Sequence, residues 1–312
     1  MKLSHTLTDV RGIEVGHAQD DEALTGCTVI LCRRGAVAGV DVRGGAPGTR
    51  ETDLLDPINL VQKIHAIVLA GGSAFGLEAA TGVMRYLEEQ RIGFKTGAAK
   101  VPIVPSAILY DLSIGHASAR PDSAMGYLAA SQASSRPSAE GNVGAGTGAS
   151  VGKMRGMKYA TKSGIGTWSV NVSGVIIGAL VAVNAIGDVI DPHTGIKIAG
   201  LRSGSSLNWM KKNQARPAVR SNTVIGVVAT NARLTKAEAT KVAQMAQDGL
   251  ARSIRPAHTM FDGDTLFTLA TGEKKADVSM VGAFAAEVTA EAIVRAVKMA
   301  KSAGGLPGLY QK

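Results

Sequence analysis

Thr223 stands where a polar stretch, SGSSLNWMKKNQARPAVRSN, meets an abrupt apolar run, TVIGVVATNA. The polar stretch is predicted to be a loop and the apolar run a buried strand. A threonine at the head of a core strand gains a second reactive group if the bond before it is cut. Its new α-amine, with an ordinary pKa of about 7.7–8.0, lies beside its own hydroxyl and can act as a base near neutral pH. The chemistry this suggests is amide or ester hydrolysis by an N-terminal nucleophile made by self-cleavage at Asn222-Thr223. Plain turn chemistry also accounts for the pair, because Asn tolerates turns and Thr favours strands.

Four other places bear on that choice. Asp262 and Asp264, in FDGDT, lie at an even offset just before the strand-like run TLFTLATG. If strand geometry extends back this far, both carboxylates face one side. Two close carboxylates split their pKa values, so one holds a proton while the other stays ionised. Such a pair could orient the Thr223 amine and relay its proton; a D-G turn with two solvated acids is the alternative. Lys153, in VGKMRGMK, would balance the charge, with Lys158 and Lys162 as rivals and a surface amine as the ordinary explanation. Asn184 is flanked by VIIGALVAV and AIG, where a buried amide must find partners or cost stability. Its NH2 suits an oxyanion hole, in which one donor is worth about 3 kcal/mol; otherwise it is a strand-end Asn bonded to a turn. Tyr110, in SAILYDL, is a further donor candidate for the substrate pocket, or else a packed aromatic.

The elements that must position these residues are strands and helices in alternation. Strand-like runs are CTVILC, AVAGVDVR, IHAIVLAGG, VNVSGVIIGALVAVNAIGDVI, TVIGVVATNA and DTLFTLATG. Helical patterns run from Leu77 to Gln90, from Thr235 to about Ser253 and from about Ala283 to Ser302. Thr235 and Glu238 form a capping box, T-x-x-E, and Lys and Arg gather near the end of the last helix. This alternation predicts layered α and β structure. Strand, helix, strand, helix at the C-terminal end is compatible with adjacent strands covered by two helices. The stretch from Ser131 to Gly148 is predicted to be irregular. No Pro-rich linker divides the 312 residues, so a single domain is expected.

Several other chemistries fit poorly. GAGTGA, from Gly144 to Ala149, has dinucleotide-loop spacing but lacks a preceding strand pattern and a following acid at the required distance. Gly152-Lys153 lacks the Ser or Thr of a phosphate loop. The turn GGSAFG could cradle an anion at the next helix, although close helix–strand packing explains its small residues better. The six histidines, His5, His17, His65, His116, His193 and His258, show no metal-ligand spacing, so no metal and no cofactor are expected. Cys27 and Cys32 lie at an odd offset on one predicted strand and should face opposite sides, as two core residues rather than a disulfide. The net charge is +9 and the pI about 9.6, which invites a nucleic-acid partner. Yet the basic residues are scattered, and aromatics are only 4 %, so no stacking stripe accompanies them. No apolar run has the length of a membrane span, and the start lacks a signal-peptide apolar region. A cytoplasmic protein binding neither nucleic acid nor membrane is expected.

Taken in order, LTDVRGIEVGHA, GVDVRGGAPGTRETDLLDP, AIVLAGGSAFGLEAATGVMRYLEE, VPIVPSAILYDL, GNVGAGTGASVGK, GIGTWSV, ALVAVNAIGDV and NTVIGVVATNARLTKAEA resemble the P1 or S58 peptidase family. That group holds the L-aminopeptidase/D-esterase, the β-aminopeptidases and the 6-aminohexanoate-oligomer (nylon oligomer) hydrolases. The resemblance implies a four-layer αββα sandwich of the N-terminal-nucleophile hydrolase type. It implies self-cleavage between Asn222 and Thr223 into a larger subunit, 1–222, and a smaller one, 223–312, both kept in one fold. It implies Thr223 as nucleophile acting on small peptides or peptide-like oligomers, and assembly as a homo-oligomer, commonly a tetramer. Lys153, Asn184 and Tyr110 match the lysine, strand asparagine and pocket tyrosine of the nylon-oligomer branch, with Lys162 in a setting similar to Lys153. Asp262-Gly263-Asp264 stands where the aminopeptidase branch carries Ser-x-Glu. An acyltransferase of the ornithine acetyltransferase kind and an uncleaved small-molecule-binding relative are the alternatives.

Overall fold

A computed structural model describes residues 3–213 and 222–311. Its centre is two sheets that share one long strand. In chain order the strands are β1 (Glu14–Asp20), β2 (Thr25–Val42), β3 (Thr49–Arg50), β4 (Ile64–Ala70), β5 (Ser106–Ile108), β6 (Ile165–Val172), β7 (Val175–Asn184), β8 (Thr223–Ala232) and β9 (Thr265–Lys274). The first half of β2 pairs with β1 and β4, and its second half with β9. A register shift between Leu31 and Ala36 marks the crossing. One sheet thus runs β6-β7-β8-β9-β2, and the other holds β1, β2, β4, β5 and β3. The central β8–β9 pair is parallel, and it needs a covered crossover.

Among the described residues the α-helices are α1 (Ala79–Glu89), α2 (Ser123–Ser131), α3 (Ser206–Asn213), α4 (Lys236–Ser253) and α5 (Val278–Lys298), of which α1, α2, α4 and α5 pack on the sheets. Strand alternation decides which side chain meets which layer. Val224, Val228 and Ala232 of β8 pack with Val242, Ala246 and Leu250 of α4 and with Ala285 and Ile293 of α5. Ile225, Val227 and Ala229 of the same strand face Ile67 and Leu69 of the other sheet. The far side of that second sheet packs Val68 and Ala70 against Ala80, Val83 and Leu87 of α1 and Ala129 of α2. Helices, sheet, sheet, helices make the four-layer sandwich expected of an N-terminal-nucleophile hydrolase.

Cys27 falls in the outer core and Cys32 between the sheets; both are free and buried. Thr235 caps α4 with a complete capping box to Glu238. Other expectations need correction. CTVILC and AVAGVDVR are one strand, not two. VNVSGVIIGALVAVNAIGDVI is cut by a turn, because Ser173 and Gly174 both adopt positive φ (51° and 87°) and reverse the chain into a hairpin. The last helix begins at Val278 behind an Asp277 cap, whose side chain takes the Met280 N–H. The polar stretch before Asn222 forms helix α3 over Ser206–Asn213; residues 214–221 lie outside the described residues. GAGTGA forms a buried 3-10 turn. At GGSAFG the anion is the protein's own: Gly72 N–H donates to Asp111 Oδ1 at 2.7 Å.

Candidate active site

Thr223 opens β8 opposite Asn184, the last residue of β7. Period-two alternation gives both side chains the face that Ile225, Val227, Leu180 and Ala182 turn toward the inter-sheet core. The site therefore lies at one end of the seam between the sheets. On the other side of β8, the bridge Asn222–Asp262 shares the register of the β8–β9 pair Ile225–Thr265. Strand geometry thus extends back through Asp262-Gly263-Asp264, and Gly263 falls beside Thr223. A Cβ at Gly263 would stand 2.9 Å from Thr223 Oγ1, so only glycine leaves the hydroxyl its space.

The carbonyl of Asn222, the acyl side of the Asn222-Thr223 bond, accepts two hydrogen bonds. Gly263 N–H donates to it at 2.9 Å, and the Thr223 hydroxyl donates to it in a very short contact. Asn222 and Thr223 are both buried.

The two aspartates are not equivalent. Asp264 Oδ1 accepts Val224 N–H at 2.8 Å, and its Oδ2 accepts the main-chain N–H and the ring Nδ1 of His258 at 3.0 and 2.9 Å. Asp262 Oδ2 accepts Thr259 N–H and Thr259 Oγ1 at 2.9 and 2.5 Å, whereas its Oδ1 is buried with no partner among the described residues. Burial, then the charge of Asp264, push the Asp262 carboxyl up to about 6.

Asn184 links the site to the second sheet. Its Oδ1 accepts Lys153 Nζ at 2.6 Å and Ser150 N–H at 3.1 Å, and its Nδ2 donates to the Tyr110 main-chain carbonyl at 2.8 Å. With the amide oxygen so occupied, the second Nδ2 hydrogen is the group left to meet a developing oxyanion. Lys153 Nζ also donates to the Asn184 carbonyl at 2.8 Å. Burial lowers its pKa to about 7, opposed by the charges of Asp262 and Asp111. Lys162 is equally buried and also lowered to about 7 by burial. Its ammonium is spent on three carbonyls, of Gly146, Ala149 and Ser163. Of the two lysines, only Lys153 reaches Asn184. Tyr110 meets Asn184 through its main chain; its phenol makes no hydrogen bond among the described residues.

Two residues here escaped the sequence argument. Asp111 is buried, accepts Thr25 Oγ1 and Gly72 N–H, and has its pKa raised by burial. An acid inside the apolar run SAILYDL was the available signal. His258 has no metal-ligand spacing, and its place four residues before Asp262 was the available signal. Among the described residues no three His, Cys, Asp or Glu are grouped to hold a metal, and no helix is long and apolar enough to cross a membrane.

Residues 5–310 match the family described as Peptidase family S58. An uncharacterised aminopeptidase of Mycobacterium leprae is 44 % identical, over 97 % of this chain and 92 % of its own length. A 6-aminohexanoate-oligomer endohydrolase of a Kocuria species is 33 % identical, over 93 % of this chain and 85 % of its own. Among solved structures, the L-aminopeptidase D-Ala-esterase/amidase of Ochrobactrum anthropi, a variant of the Ntn hydrolase fold, superposes with a TM-score of 0.74. It is 21 % identical, covering 97 % of this chain and 88 % of that one.

Proposed function

The chain belongs to peptidase family S58 and is an amide-bond hydrolase of the aminopeptidase kind; from that premise we propose that it activates itself by cleaving Asn222-Thr223 and then works through Thr223 as an N-terminal nucleophile. The observation that carries this is the doubly donated Asn222 carbonyl, with the Thr223 hydroxyl on one side and Gly263 N–H on the other.

In the precursor the Thr223 hydroxyl oxygen attacks the Asn222 carbonyl carbon. Its proton passes to Asp262, and the charge developing on the carbonyl oxygen meets Gly263 N–H. The C–N bond breaks, the nitrogen takes the proton from Asp262, and an ester joins Asn222 to Thr223 Oγ1. Water hydrolyses that ester, leaving a carboxylate on Asn222 and a free hydroxyl and α-amine on Thr223. In turnover the hydroxyl attacks the substrate carbonyl and the amine accepts its proton. The Asn184 Nδ2 hydrogen meets the oxyanion, the proton passes to the leaving amine, and water releases the acyl group. Lys153 holds the Asn184 amide in the orientation this needs. The substrates are small peptides or peptide-like amide oligomers, including the class named for the Kocuria relative, and ester analogues.

Intact-mass analysis of the purified protein tests this. Fragments ending at Asn222 and beginning at Thr223 are expected, together with hydrolysis within a panel of L-, D- and β-amino-acid amides and 6-aminohexanoate oligomers. Thr223→Ala should leave one chain and no turnover. A wild-type chain that stays whole, or a Thr223→Ala chain that still cleaves, overturns the proposal.

A further inference from the structure

His258 holds a left-handed backbone conformation, with φ at +55°, which is uncommon outside glycine and which Asn, Asp and His adopt more readily than other side chains. That geometry turns both its main-chain N–H and its ring Nδ1 onto one oxygen, Asp264 Oδ2. A carboxylate only accepts, so Nδ1 is the donor. The opposite ring nitrogen, Nε2, is buried and has no hydrogen-bond partner among the described residues. A buried polar atom left without a partner carries a cost, so packing alone does not account for a histidine at this place. What the ring gains is its bond to Asp264, and that bond has a consequence. With Oδ2 held by His258, Oδ1 is turned to Val224 N–H, the amide directly after the nucleophile.

We propose that His258 is a positioning residue of the active site: its paired donors hold Asp264 Oδ2, keep Oδ1 on Val224 N–H, and so fix the head of β8 beside Asp262. The proposal rests on the self-cleaving function argued above. The groups facing the pair are His258 from the segment before Asp262 and Lys153 from the segment beside Asn184. Removing the Nδ1 donor frees Oδ2 and lets the carboxylate turn away from Val224 N–H.

Three substitutions keep the left-handed backbone and vary the donor. His258→Asn keeps a donor near the position of Nδ1, His258→Gly deletes it, and His258→Asp, isosteric with Asn, puts an acceptor there. Each chain, with wild type and Thr223→Ala, is made by cell-free translation. Its first-order self-cleavage is followed on denaturing gels between about pH 5 and 9, and its fold by thermal unfolding. Wild type and His258→Asn should cleave at similar rates. His258→Gly and His258→Asp should be slower by about tenfold or more near neutrality, the strength of a hydrogen bond to a charged group, with His258→Asn alone restoring the wild-type rate. If His258→Gly fails to fold, the isosteric Asn and Asp pair decides. Equal rates for Asn and Asp, or for wild type and Gly, overturn the role of His258 and leave the function standing. Failure of wild type to cleave overturns the function itself.

Discussion

Asp262 and Asp264 carry the same functional group two residues apart, and their surroundings assign them different work. Asp264 accepts three N–H donors, which occupy both of its oxygens. Asp262 has one oxygen on Thr259 and one buried without a partner among the described residues. Burial and the neighbouring charge raise it to about 6, close to the pH at which a proton carrier works best. Self-cleavage should therefore speed up as pH rises through about 6. Asp262→Asn should abolish that rise and slow the reaction by about 10²–10⁴, the usual worth of a positioned acid–base group. The same group writes a signature on stability. Its pKa is raised in the fold from 3.8, so between that value and about 6 the native state holds a proton that the unfolded chain releases. Stability should fall as pH climbs through this interval, and thermal unfolding of Asp262→Asn over the same range should lack that slope. The pairing was legible from FDGDT alone, because an even spacing before a strand is visible in sequence. The inequality was not, since it depends on His258 and Thr259 folding back over the pair.

At the scale of elements, the site is held by a splice between the turn after β2 and the segment leading into β9. Arg43 N–H and Gly44 N–H donate to the Asp264 carbonyl, and Ala46 N–H donates to the Asp262 carbonyl. Backbones approach so closely that a Cβ on Gly44 would lie 2.2 Å from the Asp262 carbonyl oxygen and 2.4 Å from Asp264 N. Gly44→Ala must push that segment, at a cost of about 1–3 kcal/mol. It should slow self-cleavage although residue 44 touches no reacting atom. The fitting comparison is Thr235→Ala, which removes the α4 capping box for about 1 kcal/mol. Thermal unfolding should drop for both, and the cleavage rate only for Gly44→Ala; an unchanged rate there would show that the splice does not position the pair. Elements were legible where one signal fixed them. The T-x-x-E box placed the start of α4 at its true position, and unbroken apolar runs gave β4, β8 and β9. They were missed where tertiary context decides. Helix α3 is short and mostly polar, its face set by Ser206, which donates its N–H and Oγ to buried Asp188. The β6–β7 hairpin turns on positive φ at Ser173, which an apolar run on either side conceals.

For the whole molecule, the proposed cut falls at the head of a central strand of the larger sheet rather than between two lobes. Residues 223–312 supply β8, β9, α4 and α5. Residues 1–222 supply both strands that flank the β8–β9 pair, β7 on one side and β2 on the other. Every layer of the larger sheet's packing then crosses the break: Val181 and Val183 of β7 meet α4 and α5 in the outer core, and Ile225 and Phe267 meet Ile67 and Leu69 between the sheets. Lys236, at the start of α4, reaches the carbonyls of Leu54 and Asn59 through its ammonium. The layered order was legible from strand–helix alternation, but the sharing of β2 by both sheets was not, because Arg33-Arg34-Gly35 divides its apolar pattern into two runs at the register shift between Leu31 and Ala36. Neither piece can bury its apolar faces alone. After cleavage the two should therefore migrate as one species in native size-exclusion chromatography and resolve only in denaturant, with a single unfolding transition followed by both far-ultraviolet circular dichroism and tryptophan fluorescence. Trp168 and Trp209 both lie in the 1–222 piece, so fluorescence reports that piece while dichroism reports both. Two separated transitions, or fragments that part without denaturant, would mean that the smaller piece is docked on the larger rather than woven into its sheet.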